Sequence, residues 1–188
     1  MKTVIYLALL LTLTGCSIFK SNPETTNFDL DKSGLADSPN LGITIPQRLS
    51  STLPSSTKMI FYFPGNEVKY DLYNNWAQTP QDLLGRYFTI YFNNPEKKSE
   101  LSYDSNYTLN GTIYEFECDT NTKEAIFAIG ITIKDKNDDV LLTKLYGSKV
   151  KMEKLSASDF AEAMSKAVNN VTSQIYKDII NLKNNSKL

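Results

Sequence analysis

The chain has 188 residues, and 41% of them are hydrophobic, which is enough for the core of one globular domain. Its 20 basic and 21 acidic residues nearly cancel, so the basic face that a nucleic-acid partner requires is not expected. There is no histidine and there are only two cysteines, which removes the commonest general base, the commonest metal ligand and a cysteine zinc site. With no glycine-rich phosphate loop, no Gly-x-Ser-x-Gly elbow and no convincing pair of acidic residues, we expect no enzymatic activity, no cofactor and no metal site.

The N-terminal residues have the layout of a secretory signal peptide. Lys2 precedes an apolar run from Val4 to Leu13, which is shorter than the roughly 18 residues needed to span a bilayer. The run leads into Leu13-Thr14-Gly15-Cys16, which resembles the lipobox of bacterial lipoproteins; the alternative is a chance cysteine near an ordinary signal peptide. The lipobox implies a signal peptide over residues 1–15, cleavage between Gly15 and Cys16, and lipid attachment at Cys16.

The residues that follow predict a tether and then a domain. Residues 16–39 are polar and contain two prolines, a composition typical of a lipidated N-terminus with a flexible linker. Within them, the alternation from Phe28 to Leu30 is a candidate edge strand. We expect residues 40–184 to form a single domain, which begins with a strand from Leu41 to Ile45 that Pro46 ends.

The middle of the chain predicts a hairpin and a helix. An apolar run from Met59 to Phe63 and an alternating run from Glu67 to Tyr73 flank Pro64-Gly65-Asn66, a typical hairpin turn. Thr79 is a good N-cap and Pro80 suits the first helical position, so we expect a helix from Pro80 to about Phe92.

The remainder predicts three consecutive strands and a long helix. The strands run from Tyr107 to Glu117, from Ala125 to Ile133 and from Val140 to Val150, and the second is apolar on both faces, as is typical of a strand between two layers. Cys118 is expected to be a buried, inert thiol. Apolar residues at three- and four-residue steps from Phe160 to Leu182 predict a helix that packs on the sheet, with a partner-binding coiled segment as the alternative.

The order of these elements resembles the ABC-type transport auxiliary lipoproteins, the PqiC-like family. The matching residues cover nearly all of the chain after Cys16: Leu41-Gly42 with Ile45-Pro46, Asn66-Glu67-Val68-Lys69-Tyr70, Asn75-Trp76-Ala77 with Pro80 and Leu83, Leu109-Asn110-Gly111 with Glu115-Phe116 and Asp119, and Ala163-Met164-Ser165-Lys166-Ala167-Val168. The resemblance implies an α/β fold with a three-layer α/β/α arrangement around a mixed, largely antiparallel sheet and a long C-terminal helix.

The resemblance also implies a function. It is that of a membrane-anchored, non-catalytic periplasmic subunit of an intermembrane transport system for phospholipid or another hydrophobic solute. The implied partners are a protein of the MCE (mammalian cell entry) type and an ABC transporter permease and ATPase, and a ring-like homo-oligomer is compatible with such a system. Ser17, where the enteric sorting rule has Asp for inner-membrane retention, favours the periplasmic face of the outer membrane. The alternative function is an outer-membrane assembly lipoprotein, such as a lipopolysaccharide-translocon plug.

The hairpin and the residues after it carry the candidate partner contact. Aromatic residues dominate the contact energy of protein interfaces, and they are concentrated here. The candidate contact residues are Phe61, Tyr62, Tyr70, Tyr73 and Trp76. For Trp76 the alternative role is that of a core residue beside the first helix.

Overall fold

A computed structural model describes residues 24–100 and 107–185 of the chain. The predicted cleavage and lipid-attachment residues, Gly15 and Cys16, lie outside the described residues. Within these two ranges, seven strands and two α-helices follow one another, with a short 3-10 helix at Ser33–Asp37 between the first two strands. In chain order they are β1 (Thr26–Phe28), β2 (Ser50–Ser51), β3 (Lys58–Phe63), β4 (Glu67–Trp76), α1 (Pro80–Phe92), β5 (Thr108–Asp119), β6 (Glu124–Lys134), β7 (Val140–Lys151) and α2 (Ala157–Asn185).

The strands form one mixed sheet. Its order is β1-β4-β3-β5-β6-β7, and β2 pairs with β5 beside this path. The long pairings β3–β4, β5–β6 and β6–β7 are antiparallel, whereas β1–β4, β2–β5 and β3–β5 are short and parallel. The predicted α/β class, with a mixed, largely antiparallel sheet and a long C-terminal helix, is confirmed.

Both described helices pack on the same face of this sheet. Residues of α1, α2 and the inward-facing strand positions belong to one continuous buried cluster. Trp76 at the end of β4 links the layers, since its ring lies 5.0 Å from Phe116 of β5 and 5.4 Å from Phe160 of α2. The described residues therefore make a helix layer and a sheet layer, and the second helix layer of the expected α/β/α arrangement is not among them.

The second face of β6 explains this difference. Ile126 and Ala128 are buried there, as expected for a covered strand, although neither described helix lies on that side. The ring of Tyr114 lies over Gly130 so closely that a Cβ at this glycine would be 3.0 Å from a ring carbon. A strand can thus be apolar on both sides because an adjacent side chain folds over it, without a helix on that side.

The segment predicted as a tether is part of the domain from Thr26 onward. Leu30 and Leu35 are buried in the cluster, and the Arg86 guanidinium lies 2.5 Å from the Asp29 carboxylate. The edge strand is present at Thr26–Phe28, shifted slightly from the predicted position. The prediction of a flexible tether over residues 16–39 is therefore wrong for residues 26–39, because Leu30 and Leu35 belong to the core and Phe28 packs against it.

The predicted strand from Leu41 to Ile45 is replaced by two isolated bridges. Asn40 pairs with Asn93, and Thr44 pairs with Thr108. Gly42 between them has a φ of 62°, which interrupts extended backbone. The Asn93 side chain bonds both the N–H and the C=O of Ile43, at 2.9 Å each, in place of a neighbouring strand.

The local signals for the hairpin and for the helix starts are confirmed. Gly65 and Asn66 form the β3–β4 turn with positive φ. The Thr79 side chain accepts from the Asp82 N–H at the start of α1. At the start of α2, the Ser156 hydroxyl oxygen likewise accepts a hydrogen bond from the Asp159 N–H, at 3.1 Å. Neither described helix combines the length and the apolar composition that a membrane span needs.

Candidate interaction surface

Trp76 belongs to the core and not to a contact surface. Its side chain is 1% exposed, between Phe116 and Phe160. Its indole N–H is buried and has no hydrogen-bond partner among the described residues. The prediction that Trp76 contacts a partner is corrected by its position, since β4 delivers it to the junction of the sheet with α2.

The other four candidate residues divide between the two faces of the β3–β4 hairpin. Phe61 faces the helices, and its ring lies 5.3 Å from that of Phe160. Tyr62 and Tyr70 face the opposite way, because residues alternate along a strand and cross-strand partners share a face. Tyr73 is 49% exposed at an irregular point of β4. The sequence thus placed the aromatic residues on the right element but did not separate the buried ones from the exposed ones.

The surface of the sheet opposite the helices is named the open face. Its residues follow from the strand register, and several large ones are exposed, among them Tyr70 at 47%, Tyr114 at 46% and Leu145 at 65%. A depression of about 640 Å³ lies across β5, β6 and β7 on this face. The open face includes Ile60, Tyr62, Val68, Tyr70, Thr112, Tyr114, Glu115, Glu117, Ile126, Ala128, Gly130, Thr132, Thr143, Leu145, Gly147 and Lys149.

Two carboxylates lie between the tyrosines of the open face. A register shift between Ile113 and Glu115 places Glu115 opposite Ala128 and Glu117 opposite Ile126. Burial raises the pKa of Glu117 to about 7, and the charges of Glu115 and Asp119 add to the rise. The Glu117 charge is in turn the main reason that the pKa of Tyr62 is raised. Neither glutamate has a salt bridge within the described ranges. Lys149 lies on the same face, opposite Ile126, and acts on Asp119, so Glu115 and Glu117 leave an acidic excess beside the tyrosines.

Sequence reasoning missed these glutamates as surface residues. Glu115 and Glu117 stand two positions apart in a strand that is otherwise largely apolar or aromatic. That spacing, which puts both side chains on one face, was the available signal. The β-bulge beside them has no comparable signal.

A second irregularity lies in β4, where Leu72 and Tyr73 protrude together. The register of β3 against β4 shifts between Lys58 and Ile60. The Asp71 carboxylate accepts from the Tyr73 N–H at 2.8 Å, from the Asn74 N–H at 2.9 Å and from the Asn74 side chain at 3.0 Å. Burial raises the pKa of Asp71, but these hydrogen bonds outweigh it and the pKa is lowered overall. Leu72 is 69% exposed as a result.

Cys118 is buried on the helix side of β5, as predicted. Burial, with a smaller contribution from Asp119, raises the pKa of this thiol to about 12. A thiol with so high a pKa is a poor nucleophile at neutral pH. Within residues 24–100 and 107–185 no group of three His, Cys, Asp or Glu side chains is placed to hold a metal ion.

No protein-family model and no curated protein matches the chain. Solved structures share its fold. Protein XCC0632 from Xanthomonas campestris, of the family DUF330, has a TM-score of 0.66 and 15% identity, covering 88% of this chain and 98% of that one. The crystal structure of an uncharacterized protein has a TM-score of 0.64 and 10% identity, covering 83% of this chain and 99% of the other. At these identities the likeness shows a shared fold.

Proposed function

We propose that this chain is a membrane-anchored, non-catalytic accessory subunit of an MCE/ABC-type intermembrane lipid-transport system, at the periplasmic face of the outer membrane. The observation that carries the proposal is the ordered match to the ABC-type transport auxiliary lipoproteins. It runs from the lipobox-like Leu13-Thr14-Gly15-Cys16 to the Ala163–Val168 segment of the last helix.

The open face supports a role in contact with a macromolecule. Tyr70 and Tyr114 offer large, rigid side chains that lose little conformational entropy on binding. Glu115 gives the same surface a negative charge, and Glu117, whose pKa is raised to about 7, adds to that charge as the pH rises through this value. Such a charge would steer and orient a partner with basic residues. The partner that this surface fits is therefore a protein segment with Lys or Arg beside apolar groups, and we assign it to the MCE-type protein of the system.

The test is a crosslinked pull-down of the full-length protein from membranes, with the captured proteins identified by mass spectrometry. We expect an MCE-domain protein together with an ABC permease and ATPase. The matched control is Cys16→Ala, which lacks the acylated thiol and should lose both the membrane fraction and the partners. Recovery of a β-barrel translocon without an MCE protein would contradict the proposal and favour an outer-membrane assembly lipoprotein.

The contact surface is tested by variants in the same assay. Tyr70→Ala with Tyr114→Ala removes two exposed rings of the open face and should lower partner recovery at least several-fold without a change in the circular dichroism spectrum. Ile90→Ala is the control, because Ile90 is also exposed, at 38%, but lies on α1 in the helix layer. Equal loss in both variants would exclude the open face as the specific contact.

A further inference from the structure

We propose that Leu72 and Tyr73, named the bulge pair, insert into the headgroup region of the lipid bilayer that holds the anchor. The domain would then contact the membrane through the free edge of β4, in addition to its attachment through the lipid. The inference rests on the proposed lipid at Cys16 and adds a second, non-covalent membrane contact.

The position of the bulge pair relative to the anchor is the first argument. In β1, which runs parallel to β4, Thr26 pairs with Asn74. Toward the N-terminus the chain therefore leaves the sheet beside Tyr73 and then Leu72. Only residues 17–23 separate Cys16 from Glu24, and a fully extended chain over that interval spans at most about 28 Å. The bulge pair is thus close to the point where the chain must reach the bilayer.

The chemistry of the bulge pair is the second argument. Leu72 and Tyr73 are consecutive large side chains, exposed at 69% and 49%, in the part of β4 that has no buried residue, and Leu72 is the most exposed large hydrophobic residue of β4. Leucine is favoured in the acyl region, and tyrosine is favoured at the headgroup level because its ring is apolar and its hydroxyl is polar. Lys58 donates to the Leu72 carbonyl at 3.1 Å, and its charge also faces the Asp71 carboxylate. The two charges offset each other, so this edge is not repelled by the headgroups of a bilayer.

The backbone of this edge argues against a protein strand as the occupant. Among the described residues, β1 covers β4 only from Asn74 to Trp76, so the edge from Glu67 to Tyr73 is free. A strand added there would need the N–H groups of the free edge, and the Asp71 carboxylate already accepts from the Tyr73 N–H. Bulges and charged residues at an edge disfavour strand addition, whereas a lipid surface requires no backbone hydrogen bonds.

The experiment uses the mature, acylated full-length chain with a polarity-sensitive nitrobenzoxadiazole label at Leu72→Cys. Leu145→Cys is the matched control, since Leu145 is a strand leucine exposed to 65% on β7. It lies four strands from β4, or roughly 19 Å. Cys118 is buried and does not compete for the label. The vesicles contain phosphatidylethanolamine with a minority of phosphatidylglycerol, and a spin-labelled phospholipid serves as quencher.

We expect the label at residue 72 to shift to shorter wavelength on vesicle binding and to be quenched at least threefold more than the label at residue 145. Flotation of the same vesicles in a density gradient shows separately whether the chain is anchored to them. If the chain floats but the label at residue 72 is not quenched, or both labels are quenched equally, the inference is overturned and the anchor stands. If the chain does not float, the anchor and the inference fail together. A label at residue 72 that is already shifted without vesicles indicates cover by protein and also overturns the inference.

Discussion

Trp76 connects β4 to β5 and to α2 through side-chain packing alone. Its indole N–H makes no hydrogen bond within the described residues, so its contribution comes from buried area and from the ring contacts with Phe116 and Phe160. This makes the side chain a test of whether the aromatic residues after the hairpin act in folding or in binding. The two roles predict opposite results for its removal.

Replacement of Trp76 by Ala should cost about 3–5 kcal/mol of the free energy of unfolding, because it leaves a large cavity between β4, β5 and α2. Urea denaturation followed by far-ultraviolet circular dichroism measures this loss. Tyr73→Ala is the control, with an expected change within about 0.5 kcal/mol, since the ring is half exposed. If Trp76→Ala kept the stability of the natural chain but captured no partner in the crosslinked pull-down, Trp76 would act in binding and the core role would be contradicted.

Glu117 makes stability depend on pH. Burial, together with the charges of Glu115 and Asp119, raises the pKa of this carboxyl from 4.5 to about 7 in the folded protein. Between these pH values the folded protein retains a proton that the unfolded chain has lost, so the contribution of Glu117 to stability falls as the pH rises through this range. We therefore expect Glu117→Gln to be more stable than the natural chain at about pH 8, by on the order of 1–3 kcal/mol, and equal to it near about pH 4.

Urea midpoints at both pH values provide the measurement for Glu117→Gln. Glu96→Gln is the control, because Glu96 is exposed, and it should give the same midpoint as the natural chain at each pH. A stabilisation by Glu117→Gln that is the same at both pH values would mean that packing, and not titration, is responsible.

At the scale of elements, α1 packs closely against the loop that contains Pro46 and Gln47, because the helix residue at the contact has no side chain. Gly85 lies in the middle of this helix, and a Cβ there would be 2.2 Å from the Gln47 carbonyl oxygen. In a free helix, replacement of Gly by Ala stabilises by about 1 kcal/mol. Here the backbone of the loop cannot move aside as a flexible side chain would. The helix and the loop can approach this closely only because residue 85 is glycine.

We therefore expect Gly85→Ala to destabilise the protein by about 1–3 kcal/mol, in spite of its better helix propensity. Thermal unfolding followed by circular dichroism gives the comparison. Gly34→Ala is the control, because a Cβ at Gly34 would have no heavy atom within 4 Å, and its melting temperature should be nearly unchanged. A melting temperature for Gly85→Ala above that of the natural chain would show that the loop yields at little cost.

The elements that were predicted correctly are those whose signals are local. Thr79 and Pro80 mark the start of α1, and Pro64-Gly65-Asn66 marks the hairpin turn, without reference to the rest of the chain. The failures depend on distant residues. Asn93 replaces a strand partner for Ile43 from 50 positions away, and Tyr114 covers the face of β6 that seemed to require a helix. Both are side-chain contacts between residues that are distant in the sequence, and hydrophobic periodicity does not predict such contacts.

The candidate surface was predictable only in part for a related reason. Alternation places Tyr70 and Val68 on the same face of β4, but it does not say which face is exposed, and whether Phe61 or Trp76 is covered depends on where α2 lies. The exposure of Leu72 and Tyr73 depends on the bond pattern of the Asp71 carboxylate, which has no counterpart in hydrophobic patterning. The sequence thus indicates which element carries the surface, and the packing decides which side chains remain on it.

At the scale of the whole molecule, the N-terminal segment determines how the domain would sit on a membrane. Because β1 begins at Thr26, the proposed anchor at Cys16 holds an edge of the sheet, and β7 is the strand farthest from it. With the bulge pair in the bilayer, the β4 edge of the sheet would face the membrane and β7 would lie farthest from it. The open face would then point sideways, where a partner that spans the periplasm can reach it. The proposed membrane contact and the proposed partner contact are compatible in this orientation.

This arrangement requires that residues 24–39 belong to the folded domain, which truncation can test. A chain that begins at Asn40 loses Leu30 and Leu35, each a buried side chain worth about 1.5–3 kcal/mol, and also the ion pair between Asp29 and Arg86. Since small domains are stable by only about 5–15 kcal/mol, we expect this chain to be largely unfolded or to melt far below the full protein. A chain that begins at Glu24 is the control and should keep its urea midpoint and its near-ultraviolet circular dichroism. If the two chains unfold at the same midpoint, residues 24–39 are a tether after all. The anchor could then place the domain well away from the bilayer, and the edge of β4 would lose its enforced proximity to lipid.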